Sequence, residues 1–146
     1  MSDGVFNISK GAFAEKIRDA AANVGILLLK ANEAESTLVD RDTVALLLAE
    51  AGTTEADFTN YARKTGLTGT VTVDDTNDRV DCDVPDQTWT SAGGASNNTL
   101  TKAIVFYEES AADSGRIPMT HHDFAETTTG SDITLQVNAS GFARAA

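Results

Sequence analysis

The run Gly25-Ile26-Leu27-Leu28-Leu29 is the longest apolar stretch of the chain, and it ends at Lys30. It is far shorter than the roughly 20 apolar residues that a helix needs to cross a bilayer. A short run that is apolar at every position is typical of a strand buried on both faces of a sheet. We therefore predict a central, fully buried strand over residues 26–31.

Helical patterns flank this strand on both sides. Ser9 is a suitable N-cap for a helix that ends near Asn23, and apolar residues follow it at helical spacing. A second helix can begin after Asp40 or Asp42 and end near Ala51, with apolar residues again on one face. The first third of the chain therefore predicts two helices around one strand.

From Phe58 onward the patterns are those of strands. Thr and Val are abundant in residues 67–73, and both residue types favour strands. Apolar and polar residues alternate over 80–84 and over 133–138, as in strands with one buried face. Residues 100–107 contain a second apolar run.

These elements together predict an α+β fold, with two N-terminal helices followed by a mainly antiparallel β-sheet or sandwich. The 146 residues suit one hydrophobic core better than two. We expect a single domain over residues 9–146. Residues 1–8 have no strong pattern and are predicted to form an N-terminal arm.

The charge of the chain restricts its partners. It carries 22 acidic and 11 basic side chains, a net charge of −11. Because phosphate backbones and anionic lipids attract cations, we predict no direct binding to nucleic acid or membrane. The N-terminus shows no secretory signal, and the single cysteine, Cys82, cannot form an intramolecular disulfide. We expect synthesis in the cytoplasm, and a basic protein surface would be a complementary partner.

An acidic cluster is the first candidate for a metal site. Asp74, Asp75 and Asp78 are weak candidates for Ca²⁺ ligands, since Ca²⁺ prefers oxygen. The spacing does not fit an EF-hand loop, because Arg79 and Val80 stand where a ligand and a glycine are needed. We therefore predict a turn over 75–78 followed by a strand, with no bound metal and no cofactor.

His121-His122-Asp123 is the other candidate for chemistry. Neighbouring strand residues point to opposite faces, so both imidazoles would rarely meet one ion or one substrate. We predict that one is hydrogen-bonded and the other exposed, or that both lie in an interface. Cys82 alternates with acidic residues and is predicted to point into the core with a raised pKa. No catalytic residue is predicted, and we expect that the chain is not an enzyme.

A resemblance extends over most of the chain. In the stretches that carry it, the residues are Asn7-Ile8-Ser9-Lys10-Gly11, Phe58-Thr59-Asn60-Tyr61-Ala62-Arg63-Lys64, Asp74-Asp75-Thr76-Asn77-Asp78-Arg79, Pro85-Asp86-Gln87-Thr88-Trp89, Ile117-Pro118-Met119-Thr120-His121-His122-Asp123-Phe124 and Gly141-Phe142-Ala143-Arg144. In this order they resemble a group of small structural (virion) proteins of tailed bacteriophages. Within that group the resemblance favours a head decoration, or capsid cement, protein.

The resemblance implies a function and a set of partners. Such a protein binds the outer surface of the assembled head and stabilises it. Its partners are the major capsid protein and copies of itself, in a trimer or another small oligomer. The predicted interface residues lie near the chain ends, and they are Val5, Phe6, Ile8, Phe142 and Arg144. For Phe6 and Phe142, completion of the core is an equally open alternative.

Three other functions stay open. They are a tail or head–tail junction component, a host-surface-binding module that uses the loop 91–99 and the acidic cluster, and a hydrolase with an unrecognised site.

Overall fold

The structure is a computed structural model that describes residues 3–6, 19 and 23–145. Strands make up 41% of it and helices 11%, and the two α-helices are short. The predicted order, two N-terminal helices followed by a sheet, is therefore wrong. Strands already occur on both sides of the first predicted helix, whose residues between Ser9 and Asn23 lie outside the described part except for Asp19.

A six-stranded antiparallel sheet forms the centre of the fold. Its strands follow the order β1-β9-β8-β2-β3, and β4 also pairs with β2, beside the residues at its start. Their bounds are β1 Gly4–Val5, β2 Val24–Ala31, β3 Thr54–Glu55, β4 Lys64–Leu67, β8 Lys102–Glu108 and β9 Arg116–Asp123. The two apolar runs of the sequence thus become the neighbouring central strands β2 and β8.

Two smaller antiparallel sheets contain the remaining strands. In the three-stranded sheet, β6 lies between β5 and the C-terminal strand β11, and in the other sheet β7 pairs with β10. The bounds are β5 Thr70–Asp74, β6 Arg79–Asp83, β7 Gln87–Trp89, β10 Ile133–Leu135 and β11 Ala143–Ala145. The alternating patterns at 80–84 and 133–138 are therefore confirmed as strands over residues 80–83 and 133–135.

The second predicted helix is shorter than the sequence predicted, and a short helix that was not predicted precedes it. Helix α1 spans Glu35–Leu38 and helix α2 spans Val44–Leu48. The side chain of Thr43, not an aspartate, caps α2 by accepting a hydrogen bond from the Leu46 N–H at 3.2 Å. A short 3₁₀ turn occupies Asp113–Gly115. No helix in the described ranges is long and apolar enough to span a membrane.

The core consists of two layers, one on each face of the main sheet. The large layer packs β2 and β8 against the smaller sheets and includes Val24, Ile26, Leu28, Ala103, Val105, Cys82, Trp89, Ile133, Leu135 and Phe142. The small layer covers the other face with the helices and contains Phe6, Leu27, Leu29, Leu38, Val44, Leu47, Ile104 and Phe106. Consecutive residues of β2 alternate between the layers, which confirms that this strand is buried on both faces.

Candidate functional site

The two ends of the described chain meet beside one cavity. This cavity has a volume of about 480 Å³ and lies on the same side of the main sheet as the large layer. Asp3, His122, Asp123 and residues 135–138 and 140–144 contribute to its wall. A cavity of this size is within the range of small-molecule sites, and its wall combines carboxylate, imidazole, amide and apolar groups. We refer to this surface as the chain-end face.

His122 is held in a fixed orientation at this face. Its Nε2 lies 2.9 Å from Thr120 Oγ1, and its Nδ1 lies 3.3 Å from Asp3 Oδ2. Burial alone would raise the pKa of Asp3, but hydrogen bonds from the Asp123 N–H and from His122 outweigh it and lower the pKa. The N-terminal residues are therefore bound to β9 by side-chain contacts as well as by the strand pairing of Gly4.

This arrangement has the connectivity of a nucleophile, a base and an orienting carboxylate. The Thr120 residue is only 2% exposed, however, and does not belong to the cavity wall. A substrate in the cavity cannot reach a hydroxyl that is covered by the fold. The three groups are better explained as contacts that hold the N-terminal residues on β9 than as a catalytic triad.

His121 points to the opposite face, as strand geometry requires. It is buried, its ring packs edge-on against Phe6 at 5.8 Å, and neither ring nitrogen has a hydrogen-bond partner among the described residues. Burial and the nearby Lys102 ammonium lower the pKa of His121. The prediction that one of the two imidazoles is exposed is therefore wrong, because the N-terminal residues cover His121.

The predicted interface residues fall into different environments. Phe6 and Phe142 are buried, in the small and the large layer respectively, so each completes the core of its own chain. Val5 is half-buried in the edge strand β1, and Ile8 lies outside the described residues. Arg144 is exposed at the chain-end face, where its Nε lies 2.6 Å from Asp81 Oδ1. The interface assignment itself stays a prediction.

The acidic cluster forms a hairpin turn, as predicted. Residues 75–78 make the turn between β5 and β6. The Asp74 carboxylate accepts hydrogen bonds from Asn77, which lower its pKa, and it pairs with Arg79 at 3.0 Å. The part of the chain described here contains no group of three His, Cys, Asp or Glu side chains suited to a metal ion. The Asp74 carboxylate is thus already engaged within the hairpin, beside Asp75 and Asp78.

Cys82 has the predicted position in the core, and Trp89 is a second buried side chain. Cys82 is buried, and burial together with the Asp81 carboxylate raises its pKa to about 11. The Trp89 indole is buried and donates a hydrogen bond to the Ala62 carbonyl oxygen at 2.8 Å. Neither side chain is available for chemistry on an external molecule.

Two charged networks were missed at the sequence level. In the first, the fully buried Lys102 contacts Asp123 and Glu35. In the second, Arg63 joins Glu55 and Asp113, and Arg116 links Asp113 to Glu108. The signal for the first was present, since Lys102 is in phase with Ile104 and Phe106 on one face of a strand. A charged residue at such a position must find buried partners.

The chain was also compared with known proteins. No protein-family model, no curated protein and no solved structure matches it.

Proposed function

We propose that this chain is a non-enzymatic structural protein of a tailed-phage virion, which binds the outer surface of the assembled head as a decoration protein and stabilises it. The resemblance described above supports the phage context. The partners are the major capsid protein and further copies of the chain. Binding only to the assembled shell would stabilise that state by mass action.

The observation that carries the proposal is how the chain uses its cations. Within the described ranges, seven of the Lys and Arg side chains form ion pairs with carboxylates of the same chain. The eighth, Lys64, donates to the Thr88 carbonyl oxygen and lies 5.0 Å from the centre of the Trp89 ring. With a net charge of −11, the surplus of carboxylates is left to face outward. Such a surface is complementary to a basic protein surface and repels polyanions.

The chain-end face is the surface we assign to the partner. It brings Asp3 beside residues 140–144, so the N-terminal residues and the C-terminal segment can contact one neighbour together. Asp3 is 64% exposed, and the half-buried His122 adds a further polar group. Partner contacts at chain ends leave the two core layers undisturbed.

The test is co-sedimentation of the purified chain with expanded capsids that lack it, at increasing salt. We expect saturable binding that weakens as salt rises, together with a higher disruption temperature of the shell. Asp3→Asn should weaken binding several-fold. Asp57→Asn is the matched control, because Asp57 is equally exposed at 65% and also pairs with a basic group, but does not line the cavity.

Other outcomes would contradict the proposal in distinct ways. If both variants bind alike, the contact lies elsewhere than the chain-end face. If the natural chain does not bind shells and forms a sixfold or twelvefold ring, it belongs to the tail or the head–tail junction. Calcium-dependent binding to host cells would instead favour a host-surface-binding module.

A further inference from the structure

Lys102 occupies an unusual position for a lysine. Its side chain is 0% exposed, on the face of β8 that also carries Ile104 and Phe106 of the small layer. An ammonium group in such a place loses its hydration and must be compensated by charge and hydrogen bonds. Its Nζ lies 2.7 Å from Asp123 Oδ1 and 2.9 Å from Glu35 Oε1.

The backbone fixes this contact. Lys102 and Asp123 are directly opposite each other in the antiparallel register of β8 and β9, so their side chains leave the same face of the sheet side by side. Glu35, the first residue of α1, contacts the same ammonium from a different element. The fold thus holds the amine and the carboxyl group in contact, so their reaction does not depend on a diffusional encounter. Such positioning is the condition for fast intramolecular condensation.

We propose that Lys102 and Asp123 form an intramolecular isopeptide bond, with Glu35 as the proton carrier. The Lys102 ammonium passes one proton to the Asp123 carboxylate, and the neutral Nζ attacks Cγ of the resulting acid. The nitrogen of the tetrahedral intermediate gives a second proton to Glu35, which returns it to the departing hydroxyl. The Nζ–Cγ bond forms, one Cγ–O bond breaks and one water molecule leaves, so Glu35 ends as a carboxylate.

The environment determines the resting protonation state of the pair and the driving force of the reaction. Burial lowers the pKa of Lys102, but the hydrogen bonds to Asp123 and Glu35 outweigh it and raise the pKa overall. The ammonium is therefore the resting form, and proton transfer within the pair must come first. The product replaces the fully buried Lys102 ammonium and the Asp123 carboxylate, whose side chain is 29% exposed, by a neutral amide, which removes the cost of keeping the ammonium from water.

The chain contains an internal control for this chemistry. Lys30 Nζ and Asp57 Oδ2 are 2.6 Å apart, as close as the Lys102 pair, but their side chains are 28% and 65% exposed. Water stabilises both charges there and opposes the neutral form that must attack. Proximity alone would let both pairs react, whereas the proposed mechanism requires only the Lys102 pair to do so.

The experiment is the intact mass of the purified full-length chain under denaturing conditions, followed by tryptic peptide mapping. We expect the mass to fall short of the sequence mass by one water molecule. A branched peptide should join Lys102 to Asp123, with no cleavage after Lys102 and normal cleavage after Lys30. Lys30→Met should retain the loss of water, whereas Glu35→Gln should remain at its full sequence mass.

Three outcomes would overturn the inference. The first is a natural chain at its full sequence mass that trypsin cleaves after Lys102. The second is a loss of water that maps to Asp3-Gly4, where an aspartate before glycine can cyclise on its own. The third is a Glu35→Gln chain that still forms the bond, which would remove Glu35 from the mechanism. None of these measurements depends on capsid binding, so the proposed function and this inference can fail separately.

Discussion

Gly141 is the position at which a single methyl group should do the most damage. Its φ is +81°, and an added Cβ would overlap the carbonyl group of Cys82, with the carbonyl carbon only 2.6 Å away and the Cα of Asp83 at 3.2 Å. All of these are backbone atoms of β6, so no flexible side chain can move aside. Directly after Gly141, the Phe142 N–H donates to the Cys82 carbonyl oxygen at 2.9 Å and begins the docking of β11.

The size of the effect follows from how the steric clash can be relieved. A left-handed backbone costs a non-glycine residue about 1–2 kcal/mol. The clash is relieved only if β11 moves off β6, which exposes the buried Phe142 at about 2 kcal/mol and breaks hydrogen bonds worth about 1 kcal/mol. We expect Gly141→Ala to lower the free energy of unfolding by about 4 kcal/mol, a large share of the roughly 5–15 kcal/mol typical of domains.

Gly94→Ala is the control that separates strain from collision. Gly94 has a φ of +98°, but the nearest atom to its added Cβ, the Gly130 Cα, is 3.9 Å away. Gly94→Ala should therefore lower the free energy of unfolding only by the cost of the left-handed backbone, about 1–2 kcal/mol. Urea unfolding followed by the fluorescence of Trp89, the one tryptophan, measures both variants. In limited proteolysis, Gly141→Ala should be cut early within residues 140–145. Equal losses of stability in the two variants, or early cleavage of this segment in neither variant, would refute the reasoning.

Three further predictions concern buried polar groups. Arg63→Met should lower the free energy of unfolding by about 2–3 kcal/mol, because it leaves the partly buried Glu55 carboxylate without its cation and Asp113 with Arg116 alone. Arg41→Met, at the more exposed pair with Glu50, should cost at most about 1 kcal/mol in the same urea assay. Because the pKa of His121 is lowered from its usual 6.5, the unfolded chain binds the proton first, and stability should fall as the pH drops below 6.5. His121→Phe should flatten that part of the pH–stability curve, and an unchanged curve would contradict the assignment. The Cys82 thiol, with its pKa of about 11, should resist a maleimide at neutral pH until urea unfolds the chain, and rapid labelling of the folded chain would show that the thiol is accessible.

The sequence predicted the central strands correctly because their signal is local. A run that is apolar at every position has to be covered on both faces, and β2 and β8 satisfy this requirement by pairing with each other. The fold class was wrong because the structure is mostly strand, with two short helices. The first strand, β1, has no comparable local signal. Gly4 and Val5 join the sheet through backbone pairing with His121 and Thr120, residues more than a hundred positions away in the chain. Pairing over such a distance leaves no trace in the local pattern.

The candidate site shows the same division between local and distant information. The opposite directions of His121 and His122 follow from strand geometry and are confirmed by their environments. Which imidazole is covered depends on Phe6, which no local rule connects to β9. Lys102 could have been singled out by its phase, but its partners Glu35 and Asp123 are 67 and 21 residues away. Burial was therefore predictable and the identity of the partners was not.

The Lys and Arg side chains form their ion pairs within the chain, and this affects both the stability of the fold and the binding of the proposed partner. Lys102 joins α1 to β9, Arg63 joins β3 to the 3₁₀ turn, and Arg144 joins β11 to β6, so each cation fastens segments that are distant in the chain. Partly buried pairs are screened by salt much less than exposed ones. The same arrangement leaves the unmatched carboxylates at the surface, where salt acts fully. A chain built in this way can keep its fold at salt concentrations that release it from a basic partner, so loss of binding and loss of structure are separable in one titration.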